Sequence, residues 1–469
     1  MKGAILMDTI IHDIMEKITF NYTNLLQELV GESRDFSKFI IDLKKTLDDV
    51  GTELAGKALE IVDDVVRESK NRKEKYYIQR RNDEKTLITI FGEVNYKRTY
   101  YKHKKDKSYM YLSDQMIGIE PHDRMDLSYE AMLIEESMDS SYQKTGEKMV
   151  PNATVSKQTV MNAIRKLEEV ENSSVKIATP KRETKILYIE ADEDHVAMQD
   201  GTNKQIKLIY VHEGKELVSK NRYKLKNNRY FTGNYSKSED LWLQVADYLE
   251  EAYEIDKVQK IYLSGDGAKW IKEGLNWIKG SIYVLDGFHL AKYVRKATAH
   301  LDPIYYKTMW NHIDNRDKKS VTDIFKTIIK ETEKDTKKKA VKDSKRYILN
   351  NWDGVITRYE SDYIGCSAEG HISHILSSRL SSRPLGWSIT GADQMARLRV
   401  FRANGGEVYE LMKQKREEDR KEKRILKLEK RILKNKLKSS LPEIIDNIPY
   451  INDGRRTWQG QILKSLRGA

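Results

Sequence analysis

Two aspartates follow apolar runs that are typical of buried strands. Asp192 closes the segment TKILYIEAD, and Asp266 lies in IYLSGDGAKW. Open α/β folds place their ligands at the carboxyl edge of the sheet, so we expect both carboxylates there. Each aspartate alone is equally explained by a turn or a helix cap. Glu193 and Asp194 are neighbouring alternatives to Asp192, and strand alternation puts Asp194 on the same side.

Carboxylates at such an edge suit phosphoryl transfer on DNA. The reaction needs an activated nucleophile on one side of phosphorus and a stabilised leaving oxygen on the other, and two Mg²⁺ ions about 4 Å apart supply both. Mg²⁺, or Mn²⁺ in its place, takes carboxylate oxygens. A third carboxylate is then needed, and Glu369 in CSAEGHISHILSSRL is the candidate. The predicted metal ligands and catalytic residues are therefore Asp192, Asp266 and Glu369, although a glutamate favoured by a helix dipole is the alternative for Glu369.

Three further residues could support this site. Asp286 and His289 stand three positions apart in VLDGFHLAKYV, where a strand passes into a helix. No other soft ligand lies nearby, which argues against zinc, so we expect a hydrogen-bonded pair at the border of the site. His195 follows Asp192 closely, and it either contacts the scissile phosphate or only occupies the next strand position.

The sequence lacks the motifs of several other common enzyme classes. The glycines at 265 and 267 have neither the dinucleotide-binding nor the phosphate-loop spacing, and no nucleophile elbow or HExxH sequence occurs. Lys and Arg number 84 against 72 Asp and Glu, which gives a net charge of +12 and favours polyanionic partners such as DNA. The single cysteine, Cys366, excludes a disulfide framework. No membrane span or signal-peptide layout is present, so we expect a cytoplasmic, DNA-associated protein.

The elements that must position the acids form an α/β core. Three successive strands, a helix, and then alternating strands and helices predict a mixed sheet of the ribonuclease-H-like kind. The first part of the catalytic core spans 180–289 and its last part spans 366–405. An all-helical insertion, 290–365, lies between them. A helix over 367–380 would return Glu369 to the sheet.

The remaining segments predict helical and small β regions around this core. Residues 1–80 read as amphipathic helices and 81–125 as a small β region. Residues 126–175 read as three short helices and are a candidate helix-turn-helix domain, although short helical bundles also occur without a DNA role. Residues 406–469 form a basic helical region, either solvated or lying along a DNA backbone. The last of the three short helices would present four polar residues to a DNA groove: Lys157, Gln158, Asn162 and Arg165.

Several motifs, in order, resemble a known family. The runs FGEVNYKRTYY, YIEADEDHVAMQ, SGDGAKWI, VLDGFHLAKYV and CSAEGHISHILSSRLSSRPLGW are similar to those of ISLre-type bacterial insertion-sequence transposases, within the Mutator-like group of DDE transposases. The likeness covers nearly the whole chain. It implies a ribonuclease-H-like catalytic domain that a helical insertion interrupts between the second aspartate and the glutamate.

On this resemblance, Asp192, Asp266 and Glu369 take the three acid positions of the family. Asp286 and His289 match its D-x-x-H pair, and His195 aligns with a histidine found after the first aspartate in some relatives. The implied activity is metal-dependent cleavage and strand transfer at the ends of an insertion sequence. Its partners would be double-stranded DNA at the element ends and the target DNA. Because two ends must be brought together, we expect a homodimer or a higher assembly.

Two other functions fit parts of this pattern. One is a catalytically inactive DNA-binding protein derived from a transposase, which the complete acid set disfavours because carboxylates repel phosphate. The other is a ribonuclease-H-like nuclease, which the insertion and the N-terminal regions disfavour.

Overall fold

The computed structural model describes residues 2–149, 153–220, 222–382 and 386–422. Met1–Val408 forms one compact unit and Tyr409–Ala469 a second one. In the second unit the described residues 409–422 are helical. The rest of the predicted basic helix, to Lys438 and beyond, lies outside the described residues. Within the described part of the chain, no helix is long and apolar enough to cross a membrane.

The N-terminal part combines long helices with a small sheet. Its helices are α1 (Lys2–Glu28), α2 (Phe36–Glu68) and α3 (Lys70–Lys75). The sheet has the order β1 (Tyr76–Thr89), β2 (Gly92–His103) and β3 (Tyr109–Tyr111), and α4 (Leu112–Ile117) follows it. Asp35 starts α2 by accepting hydrogen bonds from the amides of Ser37 and Lys38. The sheet begins earlier than the β-rich composition predicts, because β1 pairs with β2 from Tyr76 onward.

Three short helices follow, as the sequence predicts. They are α5 (Leu127–Ser137), α6 (Tyr142–Lys148) and α7 (Lys157–Lys166). Ser156 caps α7, since its Oγ accepts a hydrogen bond from the Thr159 amide at 3.1 Å. Val160, Ala163 and Ile164 form the buried face of α7. The opposite face of this helix is therefore left to solvent or to a partner.

The central layer is a five-stranded mixed sheet. Its strands are β4 (Ile186–Ala197), β5 (Asn203–His212), β8 (Arg229–Thr232), β9 (Lys260–Gly265) and β10 (Ser281–Leu285). The spatial order is β10-β9-β4-β5-β8. The β4, β5 and β8 strands are antiparallel neighbours, whereas β9 is parallel to both β4 and β10. This arrangement brings the carboxyl ends of β4, β9 and β10 to one edge.

Two details of the sheet differ from the sequence prediction. Asp192 does not end its strand, because β4 continues to Ala197 and pairs with β5 over its whole length beyond Asp192. The third successive strand of the core is the short β8, and the polar stretch before it forms a separate hairpin, which the sequence does not predict. This hairpin pairs β6 (Lys215–Ser219) with β7 (Arg222–Leu225).

The two faces of the sheet differ in chemistry. One face is apolar and packs Leu187, Ile189 and Ala191 against α8 (Ser238–Ala252) and α9 (Lys269–Trp277). The other face carries the alternate residues of β4, which are Tyr188, Glu190, Asp192 and Asp194. Polar groups on a buried face need partners, so this second face is where function is expected.

A helical segment separates β10 from the end of the core. It contains α10 (Gly287–Thr298), α11 (Pro303–Asp314), α12 (Lys318–Glu331), α13 (Asp335–Asn350) and α14 (Trp352–Thr357), which pack around a core of their own. The chain then returns through α15 (Ala368–Ile372), a π-helical turn at Ser373–Ser377, and α16 (Ser378–Leu380). The last helix of this unit, α17 (Ile389–Ala403), is buried on every side from Ala392 to Phe401.

Candidate metal and active site

Three aspartates, Asp192, Asp266 and Asp286, lie side by side at the carboxyl edge of three neighbouring parallel strands. Glu190 of β4 pairs with Ser264 of β9, so Asp192 and Asp266 each stand two residues beyond that pair. Leu285 of β10 pairs with Gly265, which puts Asp286 one residue beyond its own strand, beside Asp266. The amide of Asp286 donates to the Gly265 carbonyl at 2.9 Å and holds this alignment. The strand register therefore gathers the three aspartates at the carboxyl edge.

A histidine and a glutamate complete a group of possible metal ligands. Asp192, His289 and Glu369 each offer one ligand atom, and these atoms lie within 4.8 Å of one another. His289 lies in the first turn of α10 and Glu369 in the first turn of α15. The Nε2 atom of His289 is buried and has no hydrogen-bond partner among the residues that the structure describes. A buried nitrogen of this kind beside carboxylates is suited to hold a cation.

The pKa of Asp192 reflects its burial and the acidic residues close to it. The pKa of Asp192 is raised to about 7, chiefly by burial and also by the nearby charges of Asp266 and Glu369, while the hydrogen bond from the Glu193 amide acts to lower it. Asp266 therefore belongs to the same edge, although it is not in the tightest ligand group. A bound cation would remove the repulsion among these acids.

The two neighbours of Asp192 in sequence have other partners. Glu193 lies on the opposite face, where its carboxylate accepts hydrogen bonds from Trp270 and Gln205. Asp194 shares the face of Asp192 but accepts a hydrogen bond from Ser381 Oγ at 2.8 Å. His195 lies on the Glu193 side, 4.0 Å from that carboxylate, and is exposed. The structure thus brings Asp192, and neither Asp194 nor His195, to His289 and Glu369.

Asp286 caps the helix that carries His289. Its Oδ1 accepts a hydrogen bond from the Phe288 amide at 3.1 Å and caps α10. Burial raises the pKa of Asp286, while the Phe288 amide and His289 act to lower it. Within the described residues, the Nε2 atom of His289 has no hydrogen-bond partner, so Asp286 does not bond to that nitrogen. The expected hydrogen bond between the two side chains stays a prediction, and Asp286 fixes the start of the helix.

Glu190 is a buried acid that the sequence reasoning missed. Its Oε1 lies 3.0 Å from His212 Nε2, and both side chains are fully buried. Tyr210 and the amide of Ser367 donate to Oε2. Although burial alone would raise the pKa of Glu190, hydrogen bonds from His212, Tyr210 and Ser367 lower it. A polar residue alternating with Asp192 in an apolar strand was the available signal.

Tyrosines on the same face hold the chain that leads to Glu369. Tyr188 donates to the carbonyl of Asp362, and Tyr262 donates to the carboxylates of Glu360 and Asp362. Tyr363 packs against Tyr188 and Tyr262. This segment precedes α15, so the polar face of the sheet directly positions the helix that carries Glu369.

The predicted DNA-contacting residues lie on α7. Lys157, Gln158, Asn162 and Arg165 are exposed, and the Gln158 amide donates to Asn162 Oδ1 at 2.9 Å. They share the outer face of an otherwise packed helix. Their contact with DNA stays a prediction.

Sequence comparison gives the family of this chain. A model of the uncharacterised protein family UPF0236 matches residues 30–420. The chain belongs to the UPF0236 family. A UPF0236 protein of Caldanaerobacter subterraneus subsp. tengcongensis is 42% identical over 473 residues, covering 98% of each chain. The name of this relative joins eleven loci of its genome. The UPF0236 protein in the vanSb 3′ region of Streptococcus gallolyticus is 25% identical over 393 residues, covering 79% of this chain and 86% of the relative.

Among solved structures, the Drosophila P element transposase strand transfer complex resembles this UPF0236 chain at a TM-score of 0.25 and 10% identity. The match covers 62% of this chain and 83% of the other. A likeness at that score assigns no fold.

Proposed function

We propose that this UPF0236 protein is a transposase with a ribonuclease-H-like core, which cuts and joins DNA at the ends of an insertion sequence. One observation carries the proposal. Asp192 lies on β4, Asp266 directly follows the neighbouring parallel strand β9, and Glu369 returns to the same edge after a helical segment. Acids gathered at one edge would repel DNA phosphate unless cations lie between them. The cluster therefore favours metal-dependent chemistry over simple DNA binding.

The sheet topology supports the same proposal. In chain order the core strands are β4, β5, β8, β9 and β10, and the first three form an antiparallel set. The last two strands extend the sheet on the other side of β4, parallel to it. This is the strand arrangement expected of a ribonuclease-H-like core. The eleven loci in the name of one relative also suit a mobile element, which leaves several copies in a genome.

The residues at the edge fit divalent cations. Asp192, His289 and Glu369, with Asp266 beside Asp192, would hold Mg²⁺ or Mn²⁺, and we propose two ions. The oxygen donors suit either ion, and the unpartnered Nε2 of His289 offers a further ligand. When bound, the ions would activate the attacking water or 3′-hydroxyl and stabilise the leaving oxygen in an in-line displacement at phosphorus.

The chain's own residues prepare this site. Near neutral pH and without a cation, Asp192 holds a proton on its carboxylate for much of the time, because its pKa is about 7. Asp286 fixes α10 and thereby His289, and Glu190 fixes α15 and thereby Glu369. Through α7, Lys157, Gln158, Asn162 and Arg165 would contact the double-stranded element ends. Pairing of two ends requires at least a dimer.

The test is an assay of DNA cutting and joining. The full chain is incubated with labelled DNA from the flanks of its own gene and with target plasmid, in Mg²⁺ or Mn²⁺. Asp266→Asn is the inactive variant, and Asp194→Asn is the matched control because Asp194 has the same chemistry and a partner outside the cluster. We expect cutting and joining by the parent and the control, and a loss of at least about 10³-fold in Asp266→Asn.

Other outcomes separate the alternatives. Cutting without joining would favour a nuclease on the same fold. Specific binding of the flanking DNA without cutting, by parent and variants alike, would favour a DNA-binding protein that has lost catalysis.

A further inference from the structure

A polar cleft adjoins the acid edge on the side of the helical segment. It has a volume of about 480 Å³ and lies between α9, α10 and α13. Gly267, the residue directly after Asp266, forms part of its wall. The cleft is therefore connected to the acid edge through a single backbone step.

The cleft is positively charged. Lys272, Lys296 and Arg346 line it, and Asp343 is the one carboxylate among its lining residues. Asp343 forms an ion pair with Arg346 at 3.0 Å, so the described lining residues offer no further carboxylate to the two lysines. A cleft with this charge attracts anions.

Aromatic rings hold the two lysines in place. Lys272 Nζ lies 5.1 Å from the centroid of the Tyr283 ring, and Lys296 Nζ lies 5.5 Å from that of Tyr293. Such cation–π contacts restrict the side chains without neutralising their charge.

The wall of the cleft is tied to the acid edge. The Tyr347 hydroxyl donates to the carbonyl of Asp266. The ring of Tyr347 also stacks on Tyr293, with centroids 3.7 Å apart. Since α13 and α10 share the buried core of the helical segment, the cleft and Asp266 form one rigid arrangement.

The floor of the cleft is polar and closely packed. Asn351 Nδ2 donates to the Tyr347 carbonyl at 2.8 Å, which orients the amide and leaves Oδ1 buried without a partner. A Cβ atom at Gly267 would lie 2.6 Å from that oxygen. Glycine therefore allows the loop after Asp266 to pack closely against Asn351.

We propose that this cleft binds a backbone phosphate of DNA, next along the strand to the phosphate that lies at the acid edge. The inference rests on the proposed function and adds a site to it. Successive phosphates of one strand lie a few ångströms apart, so a strand held at Asp266 continues over Gly267. The two lysines neutralise the charge of the phosphate, and the rigid wall fixes the strand relative to the acids. The cleft is thus a positioning site for the substrate.

The salt dependence of DNA binding tests this site. Affinity for the flanking DNA is measured by fluorescence anisotropy across a series of salt concentrations, for the parent and for the Lys272→Gln/Lys296→Gln variant. Each lost phosphate contact lowers the slope of log K against log salt by about 1. We expect a slope reduced by about that amount and an affinity several-fold weaker. The charge-matched control is Lys319→Gln/Lys330→Gln, two exposed lysines of α12 outside the cleft.

Each outcome decides something. An unchanged slope in the cleft variant, or an equal reduction in the control, overturns the cleft site even if the parent cuts DNA. A reduced slope in the cleft variant alone supports the site even if the parent never cuts DNA, in which case the catalytic proposal fails by itself. A parent that binds no DNA overturns both proposals.

Discussion

The amide of Ser367 donates to Glu190 Oε2 at 2.6 Å, and this hydrogen bond joins the central strand to the helix of the third acid. Glu190 stands two residues before Asp192, and Ser367 stands two residues before Glu369. The bond therefore sets how closely α15 approaches β4. Because Glu190 also meets His212 and Tyr210, its position is fixed by the sheet itself.

Substitution of Glu190 should misplace Glu369. In Glu190→Gln we expect cutting to fall by roughly 10²-fold, since a shift of about 1 Å in a reacting group has that effect, with DNA affinity unchanged. The amide also offers only one acceptor oxygen to the buried groups around Glu190, which are His212, Tyr210 and the Ser367 amide, and this should lower the free energy of unfolding by about 3 kcal/mol. Single-turnover cutting, DNA binding and urea unfolding measure the three effects.

The matched control for this prediction is Ser367→Ala. It removes a hydroxyl whose contacts with Glu190 are 3.3 and 3.5 Å long, but it keeps the backbone amide that makes the 2.6 Å bond. We expect less than about a threefold change in cutting. If Ser367→Ala were as damaging as Glu190→Gln, the side chains rather than the strand-to-helix bond would position the site.

The raised pKa of Asp192 makes stability depend on pH when no cation is present. Its pKa rises from 3.8 to about 7 on folding, chiefly because of burial. Between these values the unfolded chain has lost the proton and the folded chain keeps it, so stability falls as pH rises and the full penalty is present above about pH 7. The penalty amounts to roughly 4 kcal/mol.

Asp192→Asn should remove that penalty. In EDTA at about pH 8, the variant should be more stable than the parent by up to roughly 4 kcal/mol, and the gap should narrow steadily towards about pH 4. Added Mn²⁺ should stabilise the parent and not the variant. Urea unfolding at a series of pH values measures this. A gap independent of pH would mean that Asp192 ionises normally and that the acids are not crowded.

The sequence predicts the acidic residues at the carboxyl edge of the sheet better than it predicts the contacts that hold them there. Asp266 and Glu369 could be found because local patterns, a strand followed by a glycine turn and a helix start, mark them. The length of β4 could not be predicted in this way. Its residues beyond Asp192 pair with β5, and local composition does not reveal that pairing. That pairing continues the strand alternation and turns His195 away from the acids.

Other features could not be predicted because they depend on contacts between residues far apart in the sequence. His289 has no neighbouring ligand in sequence, and only the approach of β4 and α15 brings Asp192 and Glu369 to it. In α17 two charged residues, Arg397 and Arg399, are buried. Their partners include Val170 and Met138, which lie more than 200 residues earlier and cannot be inferred from the helix itself.

Arg399 is expected to be essential to the packing around the third acid. Its guanidinium makes five hydrogen bonds, which reach His374, Ile375 and Ser378 after Glu369 and Met138 and Asp139 at the end of α5. Arg399→Lys keeps the charge but cannot span these acceptors, so we expect a loss of about 3 kcal/mol in the free energy of unfolding.

Arg402→Lys serves as the comparison for Arg399→Lys. Arg402 is on the same helix and also binds Asp139, but it is 38% exposed. We expect its replacement to change stability by less than about 1 kcal/mol. Urea unfolding of both variants measures the difference. Equal losses would show that the charge on Asp139, and not the buried network of Arg399, is what matters.

Gly267 allows a test of the loop that carries Asp266. Its φ of +89° is unfavourable for any other residue, and a Cβ there would meet Asn351 Oδ1 at 2.6 Å. Gly280 has a similar φ of +76° but nothing within 4 Å of its Cβ position. Gly280→Ala should therefore cost about 1 kcal/mol from backbone strain alone.

Gly267→Ala should cost more, by about 1 to 2 kcal/mol, because the buried Asn351 must move against its bond to Tyr347. Since Tyr347 also binds the Asp266 carbonyl, the displacement should reach the acid edge and reduce cutting, whereas Gly280→Ala should leave cutting unchanged. Thermal unfolding and the cutting assay on both variants separate strain from collision. Equal destabilisation, with cutting intact in both, would mean that the Asn351 side chain yields freely and does not brace the loop of Asp266.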